Sequence, residues 1–234
     1  MLSTPHTKTG RFEALSVAAR DGERADRLLA ILPGVNIVPE DFVTHRMIEM
    51  LMDERRDTDV AAIAIASTDY LEDDFSARFH RAVIEAARAA GYHHIALLGV
   101  SLGVFGAIRY LRERAEGVDD LLMIAPFLGT PGTVAEVERA GGLMAWAPEP
   151  PGRRDIERSN LLWLKAHLGG AARPTLSLGF GAQDRFSAAM EGVARHLAPE
   201  RVTRLPGAHD FETWVRVWQL MVSRPLFCGD EGQG

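Results

Sequence analysis

The sequence of 234 residues has few of the features that mark disulfide-bonded, metal-binding or membrane proteins. Cys228 is the single cysteine, so the chain cannot form an internal disulfide. Neither paired cysteines nor a His-x-x-x-His spacing marks a metal site. No apolar run is long enough to span a bilayer, and residues 1–10 are polar. We therefore expect no metal, no other cofactor, no membrane partner and, by default, a cytoplasmic location.

The chain also lacks the excess of positive charge that is typical of nucleic-acid-binding proteins. The chain has 26 basic and 32 acidic residues, which gives a formal net charge of -6 at pH 7. Residues of both signs are scattered along the chain, so the surplus acid is better explained by solubility than by a binding surface. We expect no nucleic-acid partner. The oligomeric state has no signature in this sequence.

Short apolar runs alternate with segments of helical periodicity along most of the chain. Continuous apolar runs of strand length suit strands buried on both faces of a parallel sheet, and amphipathic segments suit helices that cover the sheet. The predicted strands lie at residues 28–32, 60–66, 95–98, 121–125, 175–179 and 201–205, of which the first four are continuous apolar runs. The sequence therefore predicts an α/β fold: a mostly parallel, doubly wound sheet of about seven or eight strands with helices on both faces.

We expect one domain over residues 11–227, because α/β folds of this length are often undivided. The polar lead at 1–10 is predicted to be disordered, and 228–234 is predicted to be a frayed tail. Over residues 127–173 the regular pattern is interrupted by glycine- and proline-rich stretches. A loop-rich insertion of this kind in a regular α/β domain is commonly a lid or a pocket wall.

Some side chains near this insertion are candidates for a substrate pocket. Phe127, Met144 and Trp146 offer apolar and aromatic surface there. Such residues are more often part of the core, so both interpretations stay open. Asn36 is a further candidate, because it closely follows the first buried apolar run and ligands of parallel sheets bind at strand ends.

The sequence Gly99-Val100-Ser101-Leu102-Gly103 lies between an apolar run and a helical segment. A serine in so sharp a turn takes a strained backbone conformation, and neighbours with a Cβ would collide there. Its hydroxyl would lie above the sheet, beside helix N–H groups that favour developing negative charge. Ser101 is therefore a candidate nucleophile. A nucleotide-binding turn is the alternative, but the glycine spacing does not match Gly-x-Gly-x-x-Gly.

An acidic residue and a histidine follow later strands of the predicted sheet. Asp184 comes after the run at 175–179, and His209 comes after the last predicted strand. Because the carboxyl ends of parallel strands meet at one edge of the sheet, we expect these side chains to lie near Ser101. Asp155 and Asp210 are the alternative acids, and Asp210 is also a predicted helix N-cap.

The chain resembles the serine esterases of the α/β-hydrolase family. The resemblance lies in Gly99-Val100-Ser101-Leu102-Gly103, Gly181-Ala182-Gln183-Asp184-Arg185-Phe186 and Gly207-Ala208-His209-Asp210-Phe211-Glu212-Thr213-Trp214. The last segment is similar to the His-x-x-x-x-Trp end of esterase D-like and feruloyl-esterase-like enzymes. The likeness covers roughly residues 11–222, because both the order Ser, Asp, His and the strand pattern fit. It implies the middle strands of the usual eight, with one N-terminal strand either missing or poorly marked.

The resemblance implies a catalytic role for one residue in each of the three motifs. Ser101 would be the nucleophile, His209 the general base and then acid, and Asp184 the residue that holds the imidazole. The oxyanion hole would use the N–H of Leu102 and an N–H from the loop after the first buried strand, with that of Val35 expected. That loop lacks the His-Gly of many lipases and esterases, so its donor is the less firmly assigned of the two.

The expected reaction is the cleavage of a small-molecule carboxylic ester through an acyl-enzyme on Ser101, without a cofactor. A thioesterase, a peptidase or an acyltransferase would use the same triad. A non-catalytic ligand-binding protein of the same fold is the alternative outside enzymes. Neither the natural substrate nor the acyl acceptor can be read from the motifs.

Overall fold

A computed structural model of the chain describes residues 6–9, 12–18, 25–114, 116–170 and 173–224. Its centre is an eight-stranded sheet. The strands are β1 (His6–Thr9), β2 (Phe12–Val17), β3 (Arg27–Leu32), β4 (Thr58–Ala64), β5 (His94–Val100), β6 (Asp120–Ile124), β7 (Thr175–Gly181) and β8 (Val202–Leu205). Their order across the sheet is β1-β2-β4-β3-β5-β6-β7-β8.

Most neighbouring strands of this sheet are parallel. Strand β2 runs antiparallel to both β1 and β4, and the pairs from β4 through β8 are parallel. Val100 at the end of β5 is in register with Ile124 of β6, and Ile124 is in register with Gly179 of β7. The carboxyl ends of these strands therefore lie along one edge. The expectation of a mostly parallel sheet of about seven or eight strands is confirmed.

Helices connect the parallel strands and cover the sheet. They are α1 (Pro39–Thr44), α2 (Met47–Glu54), α3 (Phe75–Phe79), α4 (Ala86–Ala89), α5 (Leu102–Glu113), α6 (Pro131–Arg139), α7 (Ile156–Leu168), α8 (Ser187–Ala194) and α9 (Phe211–Val222). A π-helical segment at His80–Glu85 joins α3 to α4, and single 3-10 turns occupy Asp69–Leu71 and Pro199–Arg201. The helical segments predicted between the strands are thus present.

Close helix–sheet contacts show that α5 and α9 lie on opposite faces. A Cβ built on Gly99 of β5 would touch Val104 of α5, whereas one built on Gly179 of β7 would touch Val217 of α9. Gly99 is in register with Met123 of β6, and Gly179 is in register with the next residue, Ile124. Because successive residues of a strand face opposite sides of the sheet, the two glycines also face opposite sides. The central strands are accordingly buried on both faces, as their continuous apolar sequences predict.

Two segments differ from the sequence-based expectations. Residues 6–9 of the lead expected to be disordered form β1, while 1–5 and 10 lie outside the described residues, as does the tail 228–234. Strand β1 is held by antiparallel pairing with β2, and backbone pairing needs no apolar side chains. It is the poorly marked N-terminal strand. The helix expected over 39–56 is broken where Arg46 adopts a left-handed conformation with φ 60°.

The insertion at 127–173 consists of α6, α7 and the loops around them. Glu136 of α6 forms an ion pair with Arg158 of α7, which joins the two helices. Helix α7 also contacts α5, because the amide of the buried Asn160 donates a 3.0 Å hydrogen bond to the carbonyl of Phe105. The insertion is therefore attached to the helix that follows the candidate nucleophile.

Candidate active site

Ser101 lies between β5 and α5 in a strained backbone conformation, with φ 52° and ψ -114°. A residue with a Cβ rarely adopts a positive φ of this kind unless its surroundings impose it. Hydrogen bonds to neighbouring strand ends do so here. The Ser101 N–H donates to the Ile124 carbonyl at 2.9 Å, and the Ser101 carbonyl accepts from the Phe127 N–H at 3.1 Å.

The glycines of this turn are required by close backbone approaches. A Cβ added to Gly99 would lie 2.6 Å from the backbone of Val104. A Cβ added to Gly103 would lie only 2.0 Å from the carbonyl oxygen of Leu32. Real Cβ atoms do not come so close, so the expected collision is confirmed at both positions. The same contacts set the start of α5 directly against the end of β3.

A continuous chain of hydrogen bonds joins the serine, the histidine and the acid. The Ser101 hydroxyl donates to Nε2 of His209 at 2.9 Å, and His209 Nδ1 donates to Oδ2 of Asp184 at 2.6 Å. An ionised carboxylate only accepts hydrogen bonds, so the proton of the neutral imidazole lies on Nδ1. The lone pair of Nε2 then faces the serine hydroxyl, which is the orientation that a general base requires.

Asp184 and His209 are held in place by their surroundings. The side chain of Asp184 is buried, and its Oδ1 accepts the Phe186 N–H at 2.8 Å. The rings of Phe186 and Trp214 both lie edge-on to the imidazole, with centroids 5.1 and 5.0 Å away. Phe186 belongs to one of the three sequence motifs, but its contact with His209 could not be predicted from any residue pattern.

The two alternative acids cap helices. Asp210 accepts the Thr213 N–H at 2.9 Å as the N-cap of α9, and Asp155 accepts the Arg158 N–H at 3.1 Å as the N-cap of α7. The bonds from Thr213, helped by the nearby His209, hold the pKa of Asp210 below its usual range. Asp184 is the acid that the structure brings to His209 Nδ1.

The loop after β3 lies beside the nucleophile. A Cβ added to Gly34 would lie 3.1 Å from the Cβ of Ser101, so the two chain segments are in contact. Val35 follows Gly34 and is 53% exposed. On the other side, Leu102 is the first residue of α5, where a backbone N–H has no acceptor within the helix. The loop at Gly34 and the first turn of α5 are therefore both next to Ser101.

A fully buried tyrosine fixes this loop. The Tyr70 hydroxyl donates to the Pro33 carbonyl at 2.8 Å, and its ring lies against Gly106 of α5, where an added Cβ would be 2.2 Å away. Arg109, also buried on α5, donates to the Tyr70 carbonyl at 2.7 Å. Burial, with a smaller contribution from Asp69, raises the pKa of Tyr70 well above its usual value, so the hydroxyl stays a donor.

Comparison with solved structures finds serine hydrolases and esterases similar to this chain along nearly its full length. A fluorophosphonate-binding serine hydrolase of Staphylococcus aureus, FphF, is 12% identical over 94% of this chain and 95% of its own, with a TM-score of 0.66. An S-formylglutathione hydrolase of Staphylococcus aureus, FrmB, is 12% identical over 94% and 96%, with a TM-score of 0.64. A ferulic acid esterase is 14% identical over 94% and 96%, with a TM-score of 0.62. The chain has the α/β-hydrolase fold.

The fold expected from the resemblance is thus confirmed by structures of very different sequence. No family model and no curated protein sequence matches the chain. Since one fold carries many activities, the likeness establishes the architecture, and the chemistry has to be argued from the site. In this α/β-hydrolase fold the serine, the acid and the histidine follow β5, β7 and β8, so the strand ends bring the three side chains together.

The three candidate pocket residues of the insertion lie in different environments. Phe127 is half-buried beside the triad, and its ring contacts those of Phe105 and Phe186. Trp146 is buried, and its indole N–H donates to Glu136 at 3.0 Å, so it packs within the insertion rather than lining the pocket. Met144 is 38% exposed on the same insertion.

Asn36 has a structural role in the loop after β3. It is exposed and adopts a left-handed backbone conformation with φ 58°, which asparagine tolerates better than most residues. The Ile37 N–H donates to the Gly34 carbonyl across this turn. Asn36 therefore shapes the loop that approaches Ser101.

The described part of the chain shows neither a metal centre nor a membrane-spanning helix. Among those residues, no group of His, Cys, Asp or Glu side chains is arranged to hold a metal ion. Within the same residues, every helix is too short or too polar to cross a bilayer.

Proposed function

We propose that this chain is a serine hydrolase that cleaves a carboxylic ester through an acyl-enzyme formed on Ser101. One observation carries the proposal: the hydrogen bonds from Ser101 to His209 and from His209 to Asp184, at 2.9 and 2.6 Å. A serine hydroxyl is a poor nucleophile until an adjacent base removes its proton, and this arrangement supplies that base in the correct tautomer.

The geometry supports a two-step reaction. As Ser101 Oγ attacks the ester carbonyl carbon, its proton passes to His209 Nε2, and the charge that forms on the imidazole is stabilised by Asp184. The carbonyl oxygen becomes an oxyanion, His209 returns the proton to the departing alkoxide, and the acyl group remains on Oγ. A water molecule then attacks this acyl-enzyme, with His209 again acting as the base.

The oxyanion would be stabilised by the N–H groups of Leu102 and Val35. The first belongs to the N-terminal turn of α5, whose dipole favours negative charge. The second belongs to the loop that touches Ser101 through Gly34. Losing one such donor typically lowers the rate by about 100- to 1,000-fold.

The decisive test uses a fluorophosphonate probe and p-nitrophenyl esters, with Ser101→Ala as the control. We expect the wild-type protein to be labelled covalently and to release p-nitrophenol, and Ser101→Ala to do neither. His209→Ala should also abolish labelling, because the hydroxyl then has no base. A wild-type protein that neither labels nor turns over any ester would contradict the proposal and favour a non-catalytic binding protein.

The rival activities share the acyl-enzyme and differ in the substrate. Assays with an acyl thioester, a peptide amide and a competing alcohol distinguish a thioesterase, a peptidase and an acyltransferase from an esterase. We expect the oxygen ester and water as the acyl acceptor to give the highest kcat/KM. A thioester or amide with a higher kcat/KM would change the substrate class but keep the triad.

A further inference from the structure

A cleft of about 430 Å³ lies between α6 of the insertion and α8, the helix that follows the catalytic acid. This volume falls within the range of ligand sites. Most of its lining is apolar: Leu128, Val134, Val137, Leu143, Leu161 and Val193. Three charged residues also line it: Glu138 and Arg195 are exposed, and the half-buried Glu191 forms an ion pair with Arg204. The cleft therefore offers an apolar interior with charge towards solvent.

Two phenylalanines connect this cleft to the triad. The Phe127 N–H donates to the Ser101 carbonyl, and the Phe186 N–H donates to Asp184. Their rings contact each other at 5.5 Å, and the Phe186 ring contacts His209. The residue after Phe127, Leu128, lines the cleft, as do residues 188 and 189 shortly after Phe186. The aromatic pair thus contacts the triad, and residues next to it in the chain line the cleft.

We propose that this cleft binds an unbranched alkyl chain of the ester substrate, and that the rings of Phe127 and Phe186 guide the chain from Ser101 into it. The proposal rests on the proposed ester hydrolysis and adds the substrate class. An alkyl chain is the ligand part that an apolar lining favours, and each buried CH₂ raises kcat/KM by about fourfold.

A second, larger cleft differs from the apolar cleft in its polarity. Its volume is about 610 Å³, it is more open, and it is lined mainly by polar and charged side chains, among them Thr130, Arg154 and Glu157. It also reaches Phe105, whose ring contacts that of Phe127. Phe127 is thus linked to the apolar cleft through the adjacent Leu128 and to the polar cleft through Phe105, and their polarity distinguishes the two clefts as sites for an alkyl chain.

Each cleft contains one glycine at which a side chain can be added without a clash. A Cβ on Gly192 of α8 or on Gly132 of α6 would have no atom within 4 Å, and neither residue has a positive φ. Gly192 lines the apolar cleft and Gly132 lines the polar one. Gly192→Leu and Gly132→Leu are therefore matched variants, each filling one cleft. Val137→Trp fills the apolar cleft from its opposite wall.

The experiment measures kcat/KM for p-nitrophenyl acetate, butyrate, hexanoate and octanoate, with melting temperatures for every variant. We expect kcat/KM of the wild-type protein to rise with chain length by about fourfold per CH₂ until the cleft is full. Gly192→Leu and Val137→Trp should lower hexanoate and octanoate hydrolysis about tenfold or more while acetate changes by less than about twofold. Gly132→Leu should keep the wild-type length profile.

A parallel series of alkyl acetates determines whether the chain belongs to the acyl or the alcohol part. In one of the two series, kcat/KM should depend on chain length, and Gly192→Leu should remove this dependence. That result supports the alkyl site, and the series in which it occurs shows whether the site binds the acyl or the alcohol part. Hydrolysis of acetate without length dependence, or a length profile changed by Gly132→Leu instead, would overturn the inference and leave the esterase proposal intact. Failure of the esterase proposal itself is recognised separately, by absent labelling and absent turnover of every ester.

Discussion

The backbone of Ser101 has a φ of 52°, and the surrounding hydrogen bonds hold it there. Strain of this kind costs on the order of 1–3 kcal/mol for a residue with a Cβ. Glycine has no such cost, so the nucleophile occupies a position where the fold would be more stable without it.

This difference is measurable by comparing two inactive variants. Ser101→Gly and Ser101→Ala both remove the hydroxyl, but only glycine relieves the backbone strain. We expect Ser101→Gly to melt about 2–4 °C higher than Ser101→Ala, because about 1 kcal/mol shifts a protein of this size by that amount. Thermal unfolding followed by circular dichroism gives the answer, and equal melting temperatures would contradict strain at this residue.

Asp184 is expected to act by fixing the tautomer of His209. In Asp184→Asn the amide would donate to Nδ1 and leave the imidazole proton on Nε2, where it cannot accept the serine proton. We expect kcat to fall by about 10⁴-fold, as for the corresponding change in serine proteases. Asp210→Asn is the matched control, because it changes the neighbouring acid and asparagine remains a good N-cap. A similar loss in both variants would argue against Asp184 as the triad acid.

The residue-scale features differ in how far the sequence could predict them. Ser101, Asp184 and His209 were predictable because each follows a predicted strand, and the carboxyl ends of parallel strands meet at one edge of the sheet. The burial of Trp146 and the left-handed turn at Asn36 could not be predicted, since both depend on contacts that no local pattern reveals. The full burial of Tyr70 could not be predicted either, because it follows a strand in a polar stretch of sequence.

At the scale of elements, the loop after β3 and helix α5 are joined through Tyr70. Its hydroxyl reaches the loop at Pro33, while its ring and its carbonyl meet α5 at Gly106 and Arg109. Any displacement of the loop relative to α5 would alter the distance between the two expected oxyanion donors.

Tyr70→Phe tests this connection. Removing the hydroxyl leaves the buried Pro33 carbonyl without its donor, which costs about 1–3 kcal/mol. We expect kcat to fall about tenfold with KM within about twofold, because oxyanion stabilisation acts in the transition state. Ester kinetics and the affinity for a boronate transition-state analogue provide the measurement, and both should weaken in parallel.

Tyr110→Phe is the matched control for that change. Tyr110 is also fully buried, and its hydroxyl bonds to His80 at 2.8 Å, away from the loop. It should lose a comparable amount of stability while keeping the wild-type kcat. If both variants lose activity equally, or if Tyr70→Phe keeps the wild-type kcat, the loop does not depend on Tyr70.

The sequence predicted the presence of most strands and helices better than their boundaries and their pairing. Apolar runs and helical periodicity located β3 to β8 and most helices. The strand β1 was missed because its sequence is polar, whereas its pairing with β2 is made by the backbone. The break between α1 and α2 was missed because Arg46, rather than glycine, takes the left-handed conformation there.

At the scale of the whole molecule, the insertion is attached to the sheet partly through His167 of α7. Its Nε2–H donates to the Pro174 carbonyl at 2.8 Å just before β7, and its ring stacks on Trp163. Burial lowers the pKa of His167 below the ordinary value, although the bond to Pro174 opposes this. The folded protein thus favours the neutral ring.

A specific pH dependence of stability follows from that shift. As pH falls through about 6.5, His167 is protonated first in the unfolded chain, so stability decreases until the folded-state pKa is passed. We expect His167→Gln, whose amide can still donate to Pro174, to lose less melting temperature than wild type between about pH 7.5 and about pH 5.5. The exposed His196→Gln serves as the control and should follow wild type. Equal slopes for all three proteins would contradict the prediction.

Over the described residues, the sheet ends on both sides in a very short strand. β1 and β8 each have four residues. An outer strand presents unpaired N–H and C=O groups, onto which a strand of another chain can add, and short outer strands limit that addition. Growth of the sheet from one molecule into the next is therefore disfavoured at both ends, which helps a concentrated solution of the protein to resist fibrous aggregation.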